Sequence, residues 1–335
     1  MEDWLLATVA LPPIAAEAVS DALFELGAGG VWEDQPDANG RVVLKSGFPQ
    51  NSELHLMAEL PGALSYISNF FGISLDGFSL VLELKPGEDY SESWKKDLTP
   101  IEITPALIIA PSWWSETIEC SSEAAILRLD PGSAFGSGHH PTTFLCLRLL
   151  CRLIDQNLRL ASILDLGAGS GVLALSAALL LPTAAIKALD NDPDTIFAAR
   201  TNLTQNGLSG RFDMEVGSIE EAEGEFDLIM ANLTRNVLIS LAKNMAAKSR
   251  LPGRLIVSGI LDDQASDVAK AFETLGFYVD CHLGREQWSA LSLVRGLPAP
   301  ADPSLIERQI IPTQAQQEET LIISESSQPA EEPDD

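Results

Sequence analysis

Apolar and polar residues recur with two different periods in the first 86 residues of the chain. A run of mostly apolar, β-prone residues at 4–11 predicts a strand. Apolar side chains between Ala18 and Leu26 then follow the three- and four-residue spacing of a helix, and Gly27 supplies a stop signal. The later predicted elements are a strand at 41–45, a helix at 52–71 that is interrupted or bent near Pro61, and a strand at 78–84. This order predicts a small ferredoxin-like α+β domain over residues 1–86.

The pattern changes twice further along the chain. Residues 87–129 are rich in Trp and Pro and follow neither period, so we predict a linker or connector there. From 130 to 297, short apolar runs alternate with helical stretches, which is typical of an α/β fold with a parallel sheet covered by helices on both faces. The predicted strands of this region are residues 163–166, 186–189, 226–231 and 254–258.

The end of this region follows a different rule. The last two predicted strands, 277–283 and 288–294, are separated by only four residues, which is too short for a parallel crossover. We therefore predict that they pair antiparallel as a hairpin. Residues 298–335 contain nine acidic residues and one basic residue, Arg308, and this composition predicts an acidic disordered tail.

Length and charge narrow the class of protein. A chain of 335 residues favours two domains. The formal net charge of −27 disfavours a direct nucleic-acid reader, because such proteins gain affinity from Lys and Arg at phosphates. It favours a basic partner attracted over long range. Many soluble proteins are acidic only to remain soluble, so the charge supports a basic partner only when a motif points to one as well.

Targeting and cysteine usage point to the cytoplasm. No uninterrupted apolar stretch is long enough to cross a bilayer, and the acidic start lacks the basic segment of a secretory signal. The four cysteines form neither a disulfide framework nor paired metal spacing, so we expect a reduced compartment. The adjacent His139 and His140 make a poor metal site without other ligand pairs, and we expect no metal and at least one of the two rings packed or hydrogen-bonded in its loop.

A glycine-rich turn follows the strand predicted at 163–166. Gly167, Gly169 and Gly171 stand between that strand and a helix predicted at 172–181, where backbone can approach a ligand closely. Nicotinamide enzymes favour a G-x-G-x-x-G spacing, whereas this chain has G-x-G-x-G preceded by Asp165. A carboxylate beside the turn suits S-adenosylmethionine, which carries a sulfonium and no phosphate. Taken alone, the turn is also explained as a structural strand–helix connection.

A second carboxylate strengthens the nucleoside interpretation. Asp190 closes the next predicted strand, and an acid at this position can accept hydrogen bonds from both ribose hydroxyls. Asp192 and Pro193 then open a helix as its predicted cap and first-turn residue. Asp190 is alternatively a plain turn residue at a strand end. Together, the two strand ends specify a nucleoside but not methyl transfer.

Longer motifs carry a family resemblance. The chain resembles the methyltransferases of ribosomal protein L11 (the PrmA family) over about residues 1–296, most strongly in the segments 130–143, 163–171, 190–193, 226–233 and 252–261. The resemblance implies a seven-stranded, doubly wound Rossmann-like methyltransferase sheet with an antiparallel last strand, behind an N-terminal substrate-recognition domain. It also implies S-adenosylmethionine as cofactor, and methylation of Lys side chains and the N-terminal amine of a basic large-subunit ribosomal protein. We expect a monomer.

The same resemblance implies roles for individual residues. The family's cofactor contacts fall on Thr143, Gly167, Asp190 and Asn232. The loop over the cofactor is implied to contain Phe135, Gly136 and Gly138, with Ser137 where the family commonly has Thr. To these, the reading of the glycine turn itself adds Asp165 and Gly169 as cofactor-binding residues.

Two predictions concern the acceptor side of the site. Asn232 ends the predicted strand at 226–231, and its amide oxygen is suited to orient an incoming amine, although turn formation before Leu233 explains it as well. The next residues are not the Asn-Pro-Pro-Tyr typical of methylation at planar nitrogen, which favours an aliphatic amine. Thr142 and Thr143 open a helix extending to about Ile154, so one hydroxyl is expected to cap it while the other faces the ligand.

Alternatives remain open from the sequence. A methyltransferase of this fold acting on another protein lysine or a small-molecule amine fits the same motifs. A non-catalytic cofactor-binding adaptor is disfavoured by the intact glycine turn, Asp190 and Asn232. A nicotinamide oxidoreductase is disfavoured by the glycine spacing and by the final hairpin. No residue stands out in the sequence as a general base.

Overall fold

The computed structural model describes most of the chain, which divides into two compact units, Met1–Thr99 and Pro100–Asp335. None of the helices in the described part combines the length and apolar character that a bilayer crossing requires. The residues described are 4–28, 30–34, 37, 39–85, 98–130, 138–297 and 308–312.

The first unit is a four-stranded antiparallel sheet with two helices. The strands stand in the order β2-β3-β1-β4, which with the intervening helices is the ferredoxin-like arrangement that the sequence predicts. Its core includes Leu11, Leu23, Phe48, Leu56 and Leu60. The elements are β1 (Trp4–Leu11), α1 (Ala16–Glu25), β2 (Gly30–Asp34), β3 (Val42–Pro49), α2 (Glu53–Phe71) and β4 (Ser79–Lys85).

Two features of this unit differ from the sequence prediction. Strand β2 was not predicted as a separate element. Helix α2 is not interrupted at Pro61, one of the two outcomes predicted there, but runs through it, although proline removes one helical hydrogen bond. The helix continues because Leu56, Leu60, Leu64 and Ile67 form one buried stripe on both sides of the proline, and this burial outweighs the lost bond.

The second unit begins with a small sheet where the sequence predicted a connector. Strands β5 (Ile101–Thr104), β6 (Leu107–Pro111) and β7 (Ala125–Leu129) form a three-stranded sheet. Strand β5 pairs antiparallel with β6, and β6 pairs parallel with β7. Buried side chains such as Leu107 and Leu127 join the hydrophobic cluster of the larger sheet that follows. The prediction of a linker over residues 87–129 did not anticipate these strands, because their Trp- and Pro-rich surroundings hide the short apolar runs.

The main sheet has eight strands in the order β10-β9-β8-β11-β12-β14-β13-β15. Its strands and helices follow along the chain as α3 (Pro141–Asp155), β8 (Ser162–Leu166), α4 (Val172–Leu180), β9 (Ala185–Asp190), α5 (Pro193–Gln205), β10 (Met214–Val216), β11 (Phe226–Asn232), α6 (Arg235–Lys248), β12 (Ser249–Leu261), α7 (Ala265–Glu273), β13 (Phe277–Arg285), β14 (Trp288–Arg295) and β15 (Arg308–Ile310).

The sheet confirms the predicted α/β class. Strands β8, β9, β10, β11 and β12 pair parallel, and β14 pairs antiparallel with both β12 and β13, as the short connection between the last two predicted strands required. Helices α3, α4 and α5 contribute to one hydrophobic cluster, and α6 and α7 contribute to the other. Helices therefore cover both faces of the sheet.

The strand count requires a correction. The sequence predicted seven strands and a disordered tail after residue 297, whereas residues 308–310 form an eighth strand that pairs parallel with β13. Three residues in an acidic, Pro- and Gln-containing stretch carry too little pattern to predict a strand. Here, pairing with an exposed sheet edge supplies the hydrogen bonds that local sequence does not specify.

Candidate active site

The site lies where the order of the parallel strands reverses. Strand β8 is followed along the chain by β9 on one side, and β11 pairs with its other side. Leu166 is level with Leu189 on one neighbour and with Ala231 on the other. Since parallel strands end at one edge of a sheet, the ends of β8, β9 and β11 open into a common crevice, the usual place for a ligand in this class of fold.

The glycine turn after β8 has a backbone conformation that favours glycine and leaves little space for side chains. Gly167, Gly169 and Gly171 all have positive φ, at 73°, 55° and 82°. A Cβ on Gly167 would lie 2.5 Å from Leu233 Cδ2, and one on Gly171 would lie 2.6 Å from Met214 Cε. The turn therefore needs glycine both for its conformation and for its close packing.

Asp190 joins this turn to the next helix. Its Oδ2 accepts a hydrogen bond from the Gly169 N–H at 2.9 Å, and its Oδ1 accepts one from the Asp192 N–H at 3.1 Å. Asp192 caps α5 by accepting from the Asp194 N–H at 2.9 Å, with Pro193 in the first turn, which confirms the predicted cap. Each carboxylate oxygen of Asp190 retains a lone pair, so further hydroxyl donors can still be accepted.

Asp165 is fully buried in β8 and has one unused oxygen. Its Oδ2 accepts from the Ala174 N–H in the first turn of α4 at 2.9 Å, because the N-cap residue Gly171 has no side chain to do so. Its Oδ1 has no hydrogen-bond partner. Burial raises the pKa of Asp165 from 3.8 to about 7, the bond from Ala174 opposes the rise, and the charge of Asp190 adds to it. A cation placed nearby would lower this pKa again.

Asn232 presents a second buried oxygen without a partner. Its Nδ2 donates to Thr143 Oγ1 at 3.2 Å, and this fixes the amide at the end of β11 against the start of α3. Its Oδ1 is buried and accepts no hydrogen bond. Thr143 is itself buried. An amide oxygen in this state is an acceptor ready for an N–H or O–H donor.

The start of α3 differs from the prediction that Thr142 or Thr143 caps it. His140 is the N-cap, and its Nδ1 accepts from the Thr142 N–H at 3.3 Å and lies 2.7 Å from Thr142 Oγ1. The ring also meets Trp288 edge-on, with centroids 4.9 Å apart. Burial lowers the pKa of His140 to about 4, so the ring is neutral at pH 7 and can accept. The two threonines do not indicate this cap in the sequence, because the N-cap is the residue that precedes Pro141.

Two asparagines that sequence reasoning missed bind α5 to the end of β7, and one of them, Asn202, also holds the glycine turn. Asn202 is buried in α5 and donates to the carbonyl oxygens of Asp130 and Ser170 at 2.9 and 3.0 Å, while its Oδ1 accepts from the Asp130 N–H at 2.9 Å. Asn206, one turn later, binds the backbone of Arg128 in the same manner. The available signal was two Asn residues at i and i+4 within a helix, where Asn is unfavourable unless its amide has a specific partner.

The predicted loop over the cofactor is only partly described. Gly138 has φ of 85° and packs so closely that an added Cβ would lie 3.0 Å from Ile109 Cγ2. Phe135 and Gly136 lie outside the described residues. Within the described ranges, no group of three or more His, Cys, Asp or Glu side chains is arranged to hold a metal ion.

The described candidates are linked by direct contacts on one side of the crevice. Asp190 bonds to Gly169, Gly167 packs on Leu233, and Leu233 directly follows Asn232, which bonds to Thr143. Asp165 lies in β8 immediately below the turn. The arrangement combines closely approachable backbone, two carboxylates and one free amide acceptor. It contains the groups needed to hold a cationic nucleoside beside an amine.

Comparisons with known proteins agree on one family. Residues 3–296 match the family model described as ribosomal protein L11 methyltransferase (PrmA). Two curated relatives bear the name ribosomal protein L11 methyltransferase. The one from Desulfotalea psychrophila is 34% identical over 303 residues, covering 88% of this chain and 98% of its own length. The one from an Exiguobacterium species is 30% identical over 316 residues, covering 88% and 99%.

A solved structure shares the fold. The ribosomal protein L11 methylase from Lactobacillus delbrueckii subsp. bulgaricus superposes with a TM-score of 0.53 and is 28% identical. The match covers 60% of this chain and the whole of the solved chain. The similarity thus reaches beyond the glycine turn, which many nucleotide-binding proteins share.

Proposed function

The chain belongs to the ribosomal protein L11 methyltransferase family, and we propose that it transfers methyl groups from S-adenosylmethionine to lysine side chains and the N-terminal amine of ribosomal protein L11. Family membership carries the methyltransferase activity and its ribosomal substrate. The observation that carries an amine as the acceptor is the buried and unpartnered Oδ1 of Asn232, which can receive an N–H donor. The choice of an aliphatic amine rests on the residues after Asn232, which lack the sequence typical of methylation at planar nitrogen.

The residues of the crevice fit the cofactor. The glycine turn offers backbone that a ligand can approach closely, and the free Oδ1 of Asp165 is an unpartnered acceptor whose ionised form a nearby cation would favour. When bound, S-adenosylmethionine supplies an electrophilic methyl group on a sulfonium. We propose that Asp190 receives the ribose hydroxyls, that Gly167 and Gly169 accommodate the nucleoside, and that Asp165 offsets positive charge. Thr143 and the loop residues Phe135, Gly136 and Gly138 complete the predicted contacts.

Asn232 is the proposed catalytic residue on the acceptor side. The acceptor must be a neutral amine, and at pH 7 this costs about 4–5 kcal/mol for an ordinary Lys and about 1 kcal/mol for an α-amine. Accepting one N–H at Oδ1 would orient the nitrogen lone pair, and alignment is the main contribution an enzyme makes to a displacement of this kind. Burial beside a cation lowers the pKa of the amine. We assign no general base among the described residues.

The first unit is the proposed substrate-recognition domain, predicted over residues 1–86. Helix α2 exposes several large apolar side chains, including Leu54 (86% exposed), Tyr66 (72%) and Phe70 (73%). Exposed apolar groups of this size on a small domain suit contact with another protein. The net charge of −27 favours a basic partner such as a ribosomal protein. We place the reaction in the cytoplasm, with the enzyme acting as a monomer.

The test is a methyl-transfer assay on purified ribosomal protein L11, read by mass spectrometry with labelled cofactor. We expect Asn232→Ala to lower kcat by about 10²-fold or more at saturating cofactor, as loss of an oriented hydrogen-bonding group does in other enzymes. Asn236→Ala, an exposed asparagine in the next helix, is the matched control and should retain activity. If L11 stays unmodified while a small-molecule amine or another lysine protein is methylated by the same preparation, the substrate assignment is wrong.

A further inference from the structure

A strand outside the shared family region is docked on the main sheet. The family match ends at residue 296, and β15 begins at Arg308. Arg308 forms an ion pair with Asp262 Oδ2 at 2.8 Å and donates to the carbonyl oxygen of Glu286 at 3.0 Å. It fills the space beside Gly284, where an added Cβ would lie 2.1 Å from Arg308 Cζ. These contacts give the strand a specific seat.

This strand completes a cavity against α3. The cavity has a volume of about 370 Å³, which lies within the range typical of small-molecule sites. The shared fold contributes α3, Thr104 and Leu283, and the extension contributes Gln309 and Ile311. Charged and amide side chains dominate the lining, which includes Arg148, Arg152, Asp155 and Gln156.

The cavity holds more positive than negative charge. Arg148 and Arg152 stand one helical turn apart on α3, and like charges at this spacing repel. Arg148 donates through Nη1 to the carbonyl oxygen of Ile103 at 2.8 Å, which fixes its position without neutralising it. Among the described residues, neither guanidinium forms an ion pair within 4.0 Å, and Asp155 is the only carboxylate in the lining. Two positive charges against one negative leave a net charge of +1.

Among the described residues, several other arginines also lack an ion pair, including Arg128, Arg200 and Arg211, which donate to backbone carbonyl oxygens. What distinguishes Arg148 and Arg152 is that they line one cavity together. The chain has 21 Lys and Arg against 48 Asp and Glu, so acidic partners are abundant. Other arginines, such as Arg235, Arg250 and Arg254, do form ion pairs. Two guanidinium groups without an ion-pair partner therefore face one cavity, Arg148 partly buried and Arg152 exposed to solvent.

We propose that this cavity binds a small oxyanion, a phosphate or carboxylate group on a polar molecule of low mass. Guanidinium groups match both oxyanions in geometry and keep their charge at all relevant pH values. The amides of Gln156 and Gln309 and the hydroxyl of Thr104 add neutral donors. Asp155 would accept from a hydroxyl or amine on the same ligand. Because Gln309 and Ile311 belong to the extension, the lining is complete only when β15 is docked.

An NMR chemical-shift titration of the full-length protein tests the proposal, with inorganic phosphate and malonate as separate probes. Saturable shifts at residues around the cavity are expected, and the stronger probe identifies whether phosphate or carboxylate is preferred. Arg152→Gln should weaken binding at least about tenfold, the usual effect of losing a charged hydrogen-bond donor. Arg159→Gln, an exposed arginine just beyond α3, should leave binding unchanged.

A second pair of variants tests the same cavity without relying on Arg152→Gln alone. Gln309→Glu adds a negative charge to the cavity while Arg308 still anchors β15, and it should abolish saturation by either probe. Gln287→Glu, an exposed residue outside the lining, should have no effect. Absence of saturable shifts in the unaltered protein, or equal weakening by Arg152→Gln and Arg159→Gln, would overturn the proposal.

Discussion

The two units of the molecule treat buried polar groups in opposite ways. In the first unit, the buried hydroxyls of Ser46 and Ser68 both donate to backbone carbonyl oxygens. In the second unit, Asp165 and Asn232 each bury an oxygen that has no partner. Among the described residues, all the unpartnered buried side-chain atoms belong to this second unit.

The difference separates stability from chemistry. An unsatisfied buried polar group costs about 1–3 kcal/mol, so a unit that serves packing and contact has reason to avoid one. In the second unit, two of the unpartnered atoms, Asp165 Oδ1 and Asn232 Oδ1, belong to the candidate site, where a polar ligand would satisfy them. The remaining ones belong to Ser176, Arg211, Arg285, Ser292 and Arg308 and have no such explanation. Substitutions with opposite expected effects in the two units therefore test this difference.

The largest expected effect is the pH dependence of folding at Asp165. Its pKa is raised from 3.8 to about 7 in the folded protein. Below pH 3.8 the carboxyl is protonated in both the folded and the unfolded chain, so burying it carries no ionisation penalty. The penalty grows as pH rises from about 4 to 7 and is then constant, at on the order of 4 kcal/mol. The free energies of unfolding of the wild type and Asp165→Asn, measured with denaturant, should diverge by this amount between about pH 4 and pH 7. Parallel curves from pH 4 to 8 would contradict the buried, unpaired carboxyl.

Gly259→Ala should be the next most damaging change. Gly259 has φ of 82°, and an added Cβ would lie 2.5 Å from the backbone oxygen of Leu233, next to Asn232. Backbone cannot yield as a side chain does, so we expect a loss of about 2–4 kcal/mol. Hydrogen exchange should show the weakening in β11 and β12. Unchanged protection there would mean that the strand ends are looser than their contacts indicate.

Asp190→Ala should lower cofactor affinity by about a hundredfold or more, close to 3 kcal/mol. The change removes the predicted ribose acceptor and also the bond that holds Gly169. Calorimetry with S-adenosylmethionine gives the affinity, and circular dichroism checks that the fold persists. Asp76→Ala, at an exposed acid in the first unit, is the control. Equal affinity in the wild type and Asp190→Ala would show that Asp190 does not contribute to cofactor binding.

Gly62→Ala should have the smallest effect and the opposite sign. Gly62 lies inside α2, and an added Cβ meets no heavy atom within 4 Å. We expect the first unit to gain about 0.5–1 kcal/mol, because alanine favours a helix over glycine. Thermal unfolding followed by hydrogen exchange in α2 measures the gain. A loss of stability would mean that this glycine, like Gly259, is held by contacts.

The sequence predicted those parts of the fold that depend on local pattern. The runs at 163–166 and 226–231 correspond to β8 and β11, and Asp192 caps α5 as its position before Pro193 predicted. The four-residue connection between the last two predicted strands required the observed antiparallel hairpin. Candidate residues at strand ends were predictable for the same reason, since parallel strands end at one edge.

The parts that the sequence did not predict depend on distant contacts. Strands β10 and β15 have three residues each and are defined by the neighbours they pair with. Asp165 supports α4 from nine residues upstream, a contact that requires the strand and helix to be already placed. The predicted cofactor contacts themselves remain predictions, because contact with a ligand depends on more than the position of its candidate residues.

The seat of Arg308 beside Gly284 gives a marker that can be read in other sequences. A Cβ at position 284 would lie 2.1 Å from Arg308 Cζ, so a larger residue there would require the guanidinium group to move from its ion pair with Asp262. We therefore expect chains that dock a C-terminal strand in this way to favour glycine at position 284. A glycine followed by an arginine 24 positions later, as at 284 and 308 in this chain, is therefore the pair expected in related sequences that share this docked strand.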